Sequence, residues 1–226
     1  KRLLILGATA GEISLVKRAQ EFGIYVIVTD NHKDYSLAPA KYIADEAWDI
    51  SWSDIDLLEK KCVDNHIDGV LAGYSEFRVE NMIKLCERLN LPCYINSEQL
   101  DITRDKIKFK ECCRRYGVPV VREYKSIEEV DKFPVIVKPT DRAGSIGISI
   151  ANNLKELEKA YQYAYEMSVE KRVIIEEYIY KADKVDFYYL AENGQLTLLT
   201  SCDTINAKNN GFSKVVQSAW LYPEKN

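Results

Sequence analysis

Apolar residues recur along this chain in short bursts separated by amphipathic stretches. Leu3-Leu4-Ile5-Leu6 is an apolar run closed by Gly7, and residues 11–22 then carry apolar positions at helical spacing, which predicts strand, glycine turn and helix. Tyr25-Val26-Ile27-Val28-Thr29 predicts a second, β-branched strand ending at Asp30. Residues 53–63 place Ile55, Leu58 and Cys62 on one helical face, Gly69-Val70-Leu71-Ala72 predicts a buried strand, and residues 76–89 a further helix. Strands alternating with helices in this way call for a parallel sheet wound by right-handed crossovers. Residues 1–96 are therefore expected to form a Rossmann-like α/β domain.

The pattern changes around Pro92. Residues 97–116 read as one helical region ended by Gly117 and Pro119. A mixed α+β stretch follows: the apolar pair Val120-Val121, a strand Val135-Ile136-Val137-Lys138, a glycine-bearing loop, a strand at 148–150, a helix at 154–167 and a strand at 173–175. Two strands within 185–199 flank Glu192-Asn193-Gly194, a hairpin signal. The expected organisation is a first domain at 1–96, linker helices and a small α+β lid at 97–179, and the start of a larger subdomain at 180–226. There is no internal repeat.

Composition narrows the function classes. The 226 residues are 46% apolar and 29% charged, with 31 basic against 35 acidic side chains and a net charge of −4. That is an ordinary globular balance, and it argues against a dedicated nucleic-acid binder, whose footprint is basic. The longest apolar runs fall far short of the ~20 residues of a membrane span. Six cysteines include no C-x-x-C pair, so reduced thiols in a cytoplasmic setting are expected rather than a disulfide framework or a zinc site. With only His32 and His66, chemistry resting on several histidines is nearly excluded.

Four segments could carry chemistry. Gly7-Ala8-Thr9-Ala10-Gly11-Glu12 could bring a helix N-terminus close to an anion, and serves equally as the tight strand-to-helix turn that a doubly wound sheet needs. It is not the G-x-G-x-x-G fingerprint, so it favours a substrate over NAD. Lys138 closes an apolar strand and leads into Ala143-Gly144-Ser145-Ile146-Gly147, whose N–H groups and hydroxyl suit phosphate oxygens. Taken alone that loop is a plain hairpin connection, but a lysine at the end of an apolar strand needs a compensating anion. The basic run from Arg104 to Lys110 reads by itself as a solvated helix face, with Lys106 and Lys110 on one side at i, i+4. Glu176-Glu177-Tyr178-Ile179 ends an apolar strand and could offer backbone groups to a purine, or be an edge with solvated acids.

The order and separation of these elements resemble the ATP-grasp enzymes, most closely the carboxylate-amine ligase branch that includes carbamoyl-phosphate synthase large subunits, biotin carboxylase and the purine-biosynthetic ligases. Four motifs carry the resemblance: Asp105-Lys106, the strand-closing Lys138, the 143–147 glycine loop, and the E-E-Y-[IL] hinge at Glu176-Glu177-Tyr178-Ile179. It implies that Lys106 and Lys138 contact ATP phosphates, that Gly144, Ser145 and Gly147 fold over the β and γ phosphates, and that 176–179 receive the adenine. Asp183 is assigned to the ribose hydroxyls, with Asp186 as the alternative. On the same resemblance, Gly73-Tyr74-Ser75-Glu76 shortens a turn of biotin carboxylase, so Glu76 joins Gly11 and Glu12 as a candidate substrate contact. A helix-start glutamate favoured by the macrodipole is the equal alternative for Glu76.

One departure matters. The superfamily's magnesium ligands, a Glu on one late strand and a Glu-x-Asn pair on another, have no counterpart between Thr197 and Asn226. The Mg²⁺ site is therefore expected outside this chain, which reads as a C-terminally truncated piece. The implied reaction is ADP-forming activation of a small-molecule carboxylate as an acylphosphate for attack by an amine or similar nucleophile. The alternatives are a non-catalytic nucleotide-binding module and, further off, an NAD-dependent oxidoreductase suggested by the first βαβ unit and Asp30. A homo-oligomer is compatible with this composition but not read from it. Neither the acid nor the amine can be named from sequence.

Overall fold

The computed structural model describes residues 1–73, 75–142, 144–180, 185–206 and 217–221, with side chains up to residue 203. The chain divides into two compact units, Lys1–Asp101 and Ile102–Asn226.

In the first unit, β1 (Arg2–Leu6), β2 (Tyr25–Thr29), β3 (Glu46–Trp48) and β4 (Gly69–Ala72) form a parallel sheet in the order β3-β2-β1-β4. Alternation along β1 shows why both faces are covered. Leu4 and Leu6 pack with Ile27 against Leu58 and Cys62 of α2 (Ile55–Asp64) and Met82, Leu85 and Cys86 of α3 (Glu76–Leu89). Ile5 faces the other way and meets Val26, Val28 and the Val16 and Ala19 side chains of α1 (Ile13–Glu21). This is the doubly wound arrangement expected of the alternating pattern. Helix α2 starts where the Asp54 side chain accepts the Leu57 N–H, and α3 ends at Asn90 in left-handed conformation. The short β3 was not expected; three residues with no run of apolar positions carry no periodic signal. Burial pushes the Cys62 and Cys86 thiols up to about 12, which keeps them protonated and inert at neutral pH.

The helical region expected over 97–116 is two helices, α4 (Ser97–Arg104) and α5 (Lys106–Arg115). Asp105 breaks it: with extended backbone, its carboxylate accepts the N–H groups of Ile107 and Lys108 at 2.8 and 3.1 Å and so caps α5.

The second unit holds an antiparallel sheet in the order β5-β8-β6-β7, from β5 (Glu123–Tyr124), β6 (Val135–Pro139), β7 (Ser149–Ala151) and β8 (Val173–Glu177). Val135, Val137 and Ile175 bury one face of it against Leu157, Ala160 and Ala164 of α6 (Leu154–Met167). The strand expected at 173–175 continues through Glu176 and Glu177, so these two acids lie in the ladder rather than beyond it. The expected hairpin is present as β9 (Val185–Glu192) and β10 (Gln195–Asn206), which pairs further with β11 (Gln217–Leu221). Asn193 and Gly194 connect β9 to β10 with φ of +50° and +76°, the left-handed pair that matches strand twist. Among the described residues no helix is long and apolar enough to cross a membrane.

Candidate functional site

Strand alternation decides what the second sheet offers on the face away from α6. With Val135 and Val137 in the core, Ile136 and Lys138 point to the opposite face. Register then aligns Ile136 with Glu176, and Glu176 with Glu123 of β5. Two carboxylates directly across an antiparallel pair repel each other unless a cation intervenes. Lys110, one turn into α5, supplies it: its ammonium bonds Glu176 Oε1, reaches Glu123 Oε1 at 2.6 Å and donates to the Val121 carbonyl at 3.4 Å.

The other oxygen of Glu176 receives the Lys138 ammonium, and Arg114 meets Glu123 at 2.7 Å. The result is one row of alternating charge: Arg114, Glu123, Lys110, Glu176, Lys138. Its middle is dry, with Glu176 3% and Lys110 9% exposed, while the Lys138 side chain keeps 23% of its surface. Burial would raise the Glu176 pKa, but bonds from Lys110 and Lys138 outweigh it and hold the carboxyl below its usual range.

Lys138 leads directly into the glycine loop, whose root is tied at several points. Lys106 donates its ammonium to the carbonyls of Arg142 and Thr140 at 2.7 and 3.4 Å, and Arg142 Nε donates to the Met167 carbonyl at 2.6 Å. Asp141 accepts from Ser168 Oγ at 2.9 Å and the Glu170 N–H at 2.7 Å; these bonds overcome burial and lower its pKa. Gly144, Ser145 and Gly147 all have left-handed backbone, with φ of +64°, +59° and +75°. At Gly147 a Cβ would sit 2.8 Å from Pro139 Cγ and 2.9 Å from Met167 Cβ, whereas at Gly144 it would meet nothing within 4 Å. The loop is therefore packed at its base and open at its tip.

Past β8 the chain leaves the sheet. The Glu177 N–H is bound to the Arg122 carbonyl and the Tyr178 N–H to that of Pro134, while Ile179 is 62% exposed. The Glu177 carboxylate points to Lys132 at 3.3 Å. Asp183 lies outside the described residues, and Asp186 is part-buried on β9. The structure thus brings Lys106, Lys138, the 144–147 loop and Glu176 into one neighbourhood. It adds Lys110, whose burial sequence reading missed. The i, i+4 relation to Lys106 was the available signal, but a charge run reads as a solvated face.

In the first unit, the sheet order reverses at β1, which pairs with β2 on one side and β4 on the other. Glu12 sits on a short 3₁₀ turn after β1, beside Gly73 that follows β4, and is 1% exposed. Its Oε2 accepts from the Thr9 N–H and hydroxyl at 2.8 and 2.6 Å, and its Oε1 meets Arg78 Nη1 at 2.7 Å. Both carboxylate oxygens are therefore engaged. Gly7 and Gly73 make room, since a Cβ would lie 2.4 Å from Arg78 Cζ or 2.7 Å from Glu12 Oε1. Gly11 is part-buried and Glu76 exposed on the first turn of α3. Arg78 is the second residue that sequence reading missed; nothing in its local spacing marks it.

Comparison with known proteins shows what this geometry is similar to. Residues 106–213 match the family model described as D-ala D-ala ligase C-terminus. The 2-oxoglutarate carboxylase small subunit of Hydrogenobacter thermophilus is 27% identical over 249 aligned positions, covering 98% of this chain and 52% of the relative. A crystal structure of the biotin carboxylase domain dimer of that organism's 2-oxoglutarate carboxylase, with MgADP, ADP and bicarbonate, superimposes with a TM-score of 0.77 at 24% identity over 90% of this chain and 50% of its own. Phosphoribosylglycinamide synthetase from Anaerococcus prevotii gives 0.70 at 26% identity over 96% and 54%. A parallel-sheet unit followed by a lysine-bearing antiparallel sheet with a glycine loop is the architecture shared with these structures. The family match is carried by residues 106–213, and the chain as a whole is similar to ATP-grasp ligases. It spans about half the length of the curated relatives it matches.

Proposed function

We propose that this chain supplies the nucleotide lid and the first substrate-binding domain of an ADP-forming ligase that activates a carboxylate as an acylphosphate. The observation that carries the reading is the convergence of Lys138, the loop rooted by Lys106, and Glu176 on the face of one sheet away from α6. In the proposal, Lys138 and Lys106 neutralise charge on the β and γ phosphates while 144–147 closes over them and excludes water. The purine lies along 176–179, with apolar cover from the exposed Ile179, and Asp183 or Asp186 takes the ribose hydroxyls.

A carboxylate oxygen attacks the γ-phosphorus as the bond to the bridging oxygen of ADP breaks. The amine then attacks the acyl carbon and phosphate leaves. No side-chain nucleophile is required. Gly11 and Glu76, at the sheet-reversal end of the first unit, are proposed substrate contacts, with Glu12 acting through the Arg78 it holds. Magnesium enters as the ion carried by the nucleotide. Among the described residues no group of three or more His, Cys, Asp or Glu side chains gathers to hold it, so no step is assigned to it. The MgADP in the related carboxylase structure and the dimeric state of that domain support a magnesium nucleotide and leave room for a homo-oligomer. A cytoplasmic setting fits the free cysteines.

The test is phosphate release from ATP by the full-length protein, screened against small carboxylates with and without amines. ADP and phosphate formed only with both substrates, and lost by at least about 100-fold in Lys138→Ala, is the expected result. Products of AMP and pyrophosphate would overturn it.

A further inference from the structure

We infer that Lys110 is a positioning residue for the nucleotide site, one that acts on ATP only through Glu176. The inference rests on the nucleotide reading of Lys138 given above. Lys138 is bonded to a buried carboxylate, and a lysine fully neutralised by its own protein has little charge left for a phosphate. The row of charges resolves this by its count: three cations, Arg114, Lys110 and Lys138, face two anions, Glu123 and Glu176. Arg114 and Lys110 between them balance Glu123 and Glu176. Counted from the Arg114 end, the surplus positive charge is left at the other end of the row, on Lys138 next to the glycine loop.

Lys110 also fixes where Glu176 stands. The register sets Glu176 directly across from Glu123, and Lys110 bonds one oxygen of each. Without it the two acids repel, and Glu176 has Lys138 as its one remaining cationic partner within the row. Lys138 would then be drawn toward the sheet and away from a bound phosphate. Nothing in this requires Lys110 to touch the nucleotide, and with 9% exposure beneath the sheet face it is placed to act on Glu176 instead.

The experiment measures ATP affinity of the full-length protein by calorimetry for wild type, Lys110→Met, Lys110→Arg, Glu176→Gln and the Lys110→Met/Glu176→Gln pair, with circular dichroism to confirm folding. Lys110→Met is expected to weaken ATP by at least about tenfold. Lys110→Arg should restore most of the loss, because it keeps the charge between Glu123 and Glu176. In the Glu176→Gln background, removing Lys110 should change affinity by less than about threefold, since the anion that captures Lys138 is gone. Equal losses in both backgrounds would overturn the inference, as would wild-type affinity in folded Lys110→Met. If Lys110→Met does not fold, the pair against Glu176→Gln alone decides: a loss of about tenfold or more on removing Lys110 in that background overturns it. A wild-type protein that binds no ATP overturns the nucleotide reading and this inference with it, whereas loss of binding in Lys138→Ala with wild-type affinity in folded Lys110→Met keeps the reading and overturns only the inference.

Discussion

At the scale of single residues, the two units solve the same problem, a buried carboxylate, in different ways. Glu176 is balanced by two lysines, one of which keeps part of its side chain exposed. Glu12 is balanced by one arginine and by the N–H and hydroxyl of Thr9, leaving no oxygen free. Its side chain is 1% exposed and that of Arg78 14%, so this pair lies in the regime where removing one partner strands a desolvated charge. Arg78→Met is therefore expected to lower the stability of the first unit by about 3 kcal/mol. Urea unfolding followed by tryptophan emission, with Trp48 and Trp52 in that unit as reporters, measures it. A loss no larger than that of an exposed ion pair, such as Lys84–Glu80, would show that Arg78 does not hold Glu12 in solution.

At the scale of elements, capping and ladder chemistry set how the second unit responds to acid. Asp105 caps α5 and takes Arg172 at 2.6 Å, and Asp141 ties the loop root to 168–170. For Glu176, Asp105 and Asp141 alike, burial alone would raise the pKa and hydrogen bonds bring it below the ordinary value. A carboxyl with a depressed folded-state pKa binds fewer protons folded than unfolded, so its contribution is present above the unfolded value. It is lost as pH falls through the folded one. Protection of 102–180 from amide exchange is thus expected to be flat above about pH 5 and to fall steadily below about pH 4. Glu176→Gln should flatten that slope, and protection unchanged down to pH 3 would sink the argument.

The same elements show what was legible in advance. Strands and helices with a strong period, such as β2, α3 and α6, were readable because period alone fixes which face is buried. The break at Asp105 was not, because its residues keep a helical pattern on both sides and only the cap geometry marks the stop. The motifs that carry the ATP-grasp resemblance were legible by order along the chain. Lys110 was not, since its meaning depends on β5 and β8 bringing Glu123 and Glu176 together, a pairing between distant segments that no local spacing encodes.

At the scale of the whole molecule, the hairpin of β9 and β10 contributes no residue to the core clusters of either unit among the described residues. Phe187, Tyr189, Leu190, Leu196, Leu198 and Leu199 are each more than half exposed, a density of large apolar groups that soluble monomers seldom leave in water. Both faces of the hairpin contribute, because Tyr189 and Leu190 are neighbours on one strand and so point in opposite directions. Exposed apolar strands of this kind bind hydrophobic dyes and associate. The 226-residue chain expressed alone is therefore expected to enhance anilinonaphthalene sulfonate fluorescence several-fold and to show concentration-dependent association by analytical ultracentrifugation. Tyr189→Glu with Leu198→Glu should suppress both while leaving the first unit's unfolding transition in place. A chain that stays monomeric and dark to the dye would mean that this surface is covered in solution by other parts of the chain itself.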